Sequence, residues 1–177
     1  SSASNAADAI MALTFNKTAD IDISSGSAST AGNGARGIYA WTNTGDVAID
    51  SGQVTTTGAD AHGIMVDADG VLTYGASHVP GGGTGALSIV SDIISATGAG
   101  STGIWVDHAG PISIDSGEIT VGNGAGLYVY GQGAVNVSAD KVTAGGTGVV
   151  VYGRAGAVHV TTGSVSAVVL NIELPPK

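Results

Sequence analysis

The chain has 177 residues, of which 30 are glycine and only 11% are charged, and its net charge at pH 7 is −9. This acidic balance argues against nucleic acid and anionic membrane surfaces as partners, because both attract a cationic protein face. The absence of cysteine excludes disulfides and thiolate metal sites. With 43% hydrophobic residues the chain is too apolar for a disordered one, and its β-branched residues between glycine-rich turns predict many short strands.

Six related units occupy residues 8–170. Residues 1–7 are set aside as an N-terminal tail, part of which has the composition of a cloning remnant. The units span 8–34, 35–60, 61–100, 101–124, 125–146 and 147–170, and the last five contain the motifs GIYAW (37–41), GIMVD (63–67), GIWVD (103–107), GLYVY (126–130) and GVVVY (148–152). Residues 171–177 are interpreted as a C-terminal end or linker, because Pro175 and Pro176 cannot donate to a strand ladder.

Each unit contains three short runs of alternating apolar and polar residues. The motif glycines lie at 37, 63, 103, 126 and 148, at intervals of 26, 40, 23 and 22 residues. Three strands per interval of this length predict one coil of a right-handed parallel β-helix, an all-β solenoid of about six coils. The sequence DSG at 50–52 and 115–117 predicts a turn between the second and third strands of a coil. No connection is long enough for a crossover helix, which excludes a βαβ fold.

Strand alternation places the large residues of the motif on the outside of the first sheet. We call this surface the aromatic face. It consists of two outward columns, Met11, Tyr39, Met65, Trp105, Tyr128 and Val150, and Leu13, Trp41, Asp67, Asp107, Tyr130 and Tyr152. Three interpretations are open: cross-strand packing or cover by the chain's own loop, a surface for protein contact or self-association, and a platform for sugar rings.

Unit three carries an insertion, residues 67–86, that leaves directly from the aromatic face. Insertions in solenoids project from one face, often the binding face. Asp69, Tyr74 and His78 of the insertion are therefore candidate binding residues. The sequence leaves open whether the insertion covers the aromatic face or contacts a partner.

Asp67 and Asp107 occupy the same outward position in neighbouring coils, and His108 follows directly. Such a pair is compatible with solvated aspartates that begin turns, with a calcium site, or with an acid–base pair at a glycosidic bond. No third carboxylate lies in the column, and the other histidines have no metal-ligand spacing. We therefore predict binding roles for the three residues, and no catalytic residue, metal or cofactor.

The repeats of residues 8–170 resemble those of bacterial autotransporter passenger domains, as in GIYAWTNTGDVAIDSGQVTTTGADAHGIMV and STGIWVDHAGPISIDSGEITVGNGAGLYV. The resemblance implies a right-handed β-helix, export from a Gram-negative bacterium, and display at the outer membrane or secretion. It also implies membrane attachment only through a translocator barrel that this chain does not contain.

The function expected from this resemblance is non-enzymatic adhesion or self-association through the aromatic face and the insertion. The partner is then a host surface protein, a matrix protein, a glycan or a sister copy. Two rival functions are a structural spacer that displays another domain, and binding or cleavage of a polysaccharide.

Overall fold

A computed structural model describes residues 7–15, 18–67 and 83–173. Over these residues the chain forms an all-β, right-handed parallel solenoid of about six coils, which confirms the predicted fold class. In this part of the chain, no helical segment has the length and apolar character needed to cross a membrane.

Eleven strands lie within the described residues. They are β1 (Ile10–Leu13), β2 (Ile21–Thr30), β3 (Ile38–Trp41), β4 (Val47–Thr56), β5 (Ile64–Asp67), β6 (Leu87–His108), β7 (Ile112–Gly131), β8 (Val135–Ala144), β9 (Thr147–Gly153), β10 (Val158–Ser166) and β11 (Val169–Glu173). Strands β6 and β7 run through a corner of the solenoid, so each contributes to more than one of its sides.

All pairings between coils are parallel, and equivalent residues of successive units lie opposite one another. The first side follows β1, β3, β5, the end of β6, the end of β7, β9 and β11. The other two sides follow β2, β4, the start of β6, the start of β7, β8 and β10. The repeat of the sequence is therefore also the repeat of the backbone hydrogen bonds, and β11 continues the ladder past residue 170.

The sequence predicted that a turn at DSG separates two strands, and this prediction is wrong. Residues 47–56 form one continuous ten-residue strand, in which Ser51 is 2% exposed and the buried positions change parity between Ser51 and Val54. Gly52 has no positive φ, and a Cβ there would lie 2.6 Å from the carbonyl oxygen of Gly26 in the coil below. Glycine is needed at this corner because the coils approach closely, and not because the backbone turns left-handed.

The core is a stack of aliphatic side chains, as the alternation predicted. Ile38, Ile64, Ile104, Leu127 and Val149 form one column at 0% exposure, and the inward residues of the other sides add similar columns. Because every coil presents the same inward side chains to the next, the core is continuous along the solenoid axis. A core of this kind is stabilised by apolar burial without any disulfide.

Candidate functional site

The aromatic face has the two columns that the sequence predicted. In the first, Met11, Tyr39, Met65, Trp105, Tyr128 and Val150 lie opposite one another in successive coils. In the second, the same holds for Leu13, Trp41, Asp67, Asp107, Tyr130 and Tyr152. Both tryptophans and four of the five tyrosines therefore stand on one side of the solenoid.

The exposure of this face is uneven, whereas the sequence had left open whether the face is covered. Tyr39, Trp41 and Tyr130 are only 5%, 5% and 8% exposed. Met65, Trp105, Tyr128 and Tyr152 are half-buried and retain contact with solvent. The face therefore divides into a covered part and an accessible part.

Arg36 covers Tyr39. Its guanidinium carbon lies 3.7 Å from the centre of the Tyr39 ring, and its Nη2 lies 2.8 Å from Asp8 Oδ2. Its Nε and its backbone N–H also donate to Asp8 Oδ1, at 3.0 and 2.7 Å. The arginine is thus held by a carboxylate on one side and an aromatic ring on the other, an arrangement that stabilises a buried cation.

Phe15 packs against Trp41 just beyond β1, with ring centroids 5.4 Å apart and ring planes tilted by 40°. The Nε1 atom of Trp41 is buried and has no hydrogen-bond partner among the described residues. Sequence reasoning missed both covering residues. Arg36 lies before β3 and has the parity of the inward residues Ile38 and Ala40, so alternation does not find it. Phe15 likewise lies beyond the end of β1, outside any repeat position.

Four rings at coils four to six form what we call the ring cluster, Trp105, Tyr128, Tyr130 and Tyr152. The rings of Trp105 and Tyr128 are nearly parallel, with an interplanar angle of 6° and centroids 6.4 Å apart. Tyr152 is tilted against Tyr128 and Tyr130, at centroid distances of 5.8 and 6.3 Å. The guanidinium of Arg154, which is exposed, lies 5.3 Å from the Tyr130 centroid.

The ring cluster also brings polar groups together. Burial raises the pKa of Tyr128, and the nearby Tyr152, Asp107 and Tyr130 raise that pKa further. The Tyr128 hydroxyl therefore stays protonated at neutral pH and can donate a hydrogen bond. The phenols of Tyr128, Tyr130 and Tyr152 are thus neighbours of one another and of the Asp107 carboxylate.

Asp67 and Asp107 lie opposite each other in β5 and β6, as predicted. They are 7% and 4% exposed, so the interpretation of two solvated aspartates is wrong. Trp41 and Tyr130 flank them in the same column. Among the residues that the structure describes, no group of three or more His, Asp and Glu could hold a metal ion.

His108 does not belong to the aromatic face, which corrects its place among the candidate surface residues. It is 1% exposed, and its Nε2 lies 2.7 Å from the carbonyl oxygen of Gly85. Burial lowers its pKa, so the ring is neutral at pH 7 and Nε2 carries the donated proton. His108 thus ties the returning end of the insertion to coil four.

Three of the candidate residues, Asp69, Tyr74 and His78, fall outside the described residues, and their binding role stays a prediction. Compared with protein-family models, with curated proteins and with solved structures, the chain shows no match. The functional argument therefore depends on the chemistry of the aromatic face itself.

Proposed function

We propose that this chain is an adhesin-like recognition domain of a cell-surface protein, built as a β-helical passenger and non-enzymatic. It binds its partner through the accessible part of the aromatic face and through the insertion. The proposed partners are a host surface protein, a matrix protein, a glycan or a sister copy of the chain. The passenger assignment and the cell-surface location rest on the repeat pattern and on a cysteine-free chain suited to export.

One observation carries the binding role: three adjoining rings of the ring cluster, Trp105, Tyr128 and Tyr152, are only half-buried. The outward columns of the other two sides contain small polar residues such as Ser88, Ser113 and Thr120, and the large apolar residues exposed there, Val90 and Ile93, are aliphatic rather than aromatic. Rings that keep contact with water at adjoining positions leave apolar area exposed, which is the usual property of a recognition surface. Aromatic residues are also the side chains most enriched at binding hot spots.

A structural spacer is the rival function, and it needs only the continuous core. The two functions predict different effects of an added partner on Trp105: recognition through the aromatic face protects it from solvent, and a spacer does not. Trp105 is half-buried, whereas Trp41 is buried. A Trp41→Phe variant isolates the emission of Trp105, because the chain has two tryptophans.

The test measures acrylamide quenching of this variant alone and with whole cells, matrix proteins and polysaccharides. Protection of Trp105 by one of these partners, with loss of binding in Trp105→Ala, supports recognition through this face. Equal binding by the wild type and Trp105→Ala, or no binding at all, favours the spacer. Far-ultraviolet circular dichroism of each variant checks that the solenoid remains folded.

A further inference from the structure

Building on the proposed function, we propose that the ligand of the aromatic face is an uncharged polysaccharide whose sugar rings stack against Trp105 and Tyr128. Three properties of the ring cluster point to this chemical class. They are the parallel ring planes, the hydroxyl groups beside them, and the balance of charge around them.

The first property is geometric. Trp105 and Tyr128 are directly opposite each other in adjacent coils, and their planes differ by only 6°. Adjacent coils are separated by a strand spacing of about 4.8 Å. Both rings are half-buried, so a ligand that extends along the solenoid axis and repeats apolar faces can contact the solvent-facing parts of both rings at once. An extended polysaccharide has this property, because each sugar ring presents a face of C–H groups.

The second property is the set of hydrogen-bonding groups at the edge of the rings. The Tyr152 ring centroid lies 5.8 Å from that of Tyr128 and 6.3 Å from that of Tyr130, and Asp107 lies opposite Tyr130, so three phenols and a carboxylate are neighbours. Tyr128 and Tyr152 both keep contact with solvent. A ligand rich in hydroxyls can pair with these groups, whereas an alkyl chain would desolvate them without replacing their hydrogen bonds to water.

The third property is electrostatic. Asp107 neighbours the two parallel rings, and the chain as a whole carries a net charge of −9. Both repel uronate or sulfate groups on a ligand. Arg154 supplies an exposed cation at the ring cluster, beside Tyr130, and this charge repels a cationic ligand there. The combined field favours a neutral sugar chain.

The experiment is native affinity electrophoresis in gels that contain one soluble polysaccharide. Laminarin and galactomannan serve as neutral probes, and alginate and heparin as anionic probes. We expect a neutral probe to retard the wild type, and Trp105→Ala or Tyr128→Ala to bind about tenfold more weakly. Tyr128→Phe keeps the ring and loses the hydroxyl, so we expect an intermediate affinity.

Val90→Ser and Ile93→Ser are the matched controls. They change exposed apolar positions on another side of the solenoid and should bind like the wild type.

The outcomes separate this inference from the proposed function. Retardation only by alginate or heparin, lost in Trp105→Ala, would overturn the neutral class and leave recognition through the face intact. Failure of every polysaccharide, with protection of Trp105 by a protein, would overturn the sugar ligand alone. Equal retardation of the wild type and both alanine variants would place the binding elsewhere and overturn the inference and the proposed face together. Circular dichroism of each variant, and Trp105→Phe as a conservative replacement, distinguish loss of the ring from loss of the fold.

Discussion

Arg36 and Asp8 form a buried ion pair at the N-terminal end of the aromatic face, with Nη2 and Oδ2 2.8 Å apart and the two side chains 9% and 5% exposed. The same guanidinium lies over the Tyr39 ring. This pair joins the segment before β1 to the second coil, and it covers ring surface that would otherwise face water.

We expect Asp8→Ala to lower the free energy of unfolding by about 1–3 kcal/mol, because it removes the charged acceptor of a buried guanidinium. Urea unfolding followed by circular dichroism measures the change. Glu118 and Lys141 form the matched surface pair, at 2.7 Å but with side chains 44% and 54% exposed. Lys141→Ala should cost less than about 1 kcal/mol, since solvent screens an exposed pair. If the two variants lose the same free energy of unfolding, burial does not increase the contribution of the Arg36–Asp8 pair to stability.

Gly26 and Gly52 occupy the same corner in neighbouring coils, yet their surroundings differ. A Cβ at Gly52 would lie 2.6 Å from the Gly26 oxygen, whereas a Cβ at Gly26 would meet nothing within 4 Å. We expect Gly52→Ala to destabilise the solenoid by about 1–3 kcal/mol through the clash with this backbone. Gly26→Ala should be neutral or stabilise it by up to about 1 kcal/mol, because alanine reduces the entropy of the unfolded chain. A similar midpoint of urea unfolding for both variants would refute the close approach of the coils.

The stability of the fold should fall as the pH drops below about 6.5. Burial lowers the pKa of His108 and of His62 below the ordinary value of 6.5. The unfolded chain then binds more protons than the folded chain in this range, so protonation favours unfolding. Urea midpoints at intervals between pH 7.5 and pH 5 measure the slope. His108→Gln should flatten it, and His159→Gln, at an exposed position, is the control. If His108→Gln leaves the pH dependence of the urea midpoint unchanged, the protonation of His108 is not its cause.

The two tryptophans should differ in their accessibility to acrylamide in the free protein. Trp41 is 5% exposed and packs against Phe15, whereas Trp105 is half-buried. We therefore expect most of the quenchable emission to disappear in Trp105→Phe and to remain in Trp41→Phe. Steady-state quenching of the two variants, with peak emission wavelength as a second readout, checks this. If acrylamide quenches Trp41 more readily than Trp105, the division of the aromatic face into a covered and an accessible part is wrong.

We expect no cleavage of polysaccharides by this chain. Asp67 and Asp107 are both nearly buried, and a general acid or base must come within hydrogen-bond reach of the scissile bond. Prolonged incubation with laminarin and galactomannan should release no new reducing ends. If the wild type does release them, and Asp107→Asn abolishes the release, the non-enzymatic function is wrong.

The sequence alone determined the solenoid, the register of the coils and the membership of the aromatic face. These properties depend on two local rules, the alternation of side chains along a strand and the stacking of equivalent repeat positions. Both rules can be applied to the amino-acid sequence alone. The motif glycines were therefore sufficient to align Met65 with Trp105 and Asp67 with Asp107.

Only the tertiary structure decided which of those residues remain accessible. Arg36 and Phe15 cover Tyr39 and Trp41 from outside the two predicted columns, and alternation says nothing about such neighbours. The structure also placed His108 against Gly85, a contact across 23 positions of the chain. Exposure and pKa depend on what packs against a side chain in space, and a repeat pattern specifies only the strand on which the side chain stands.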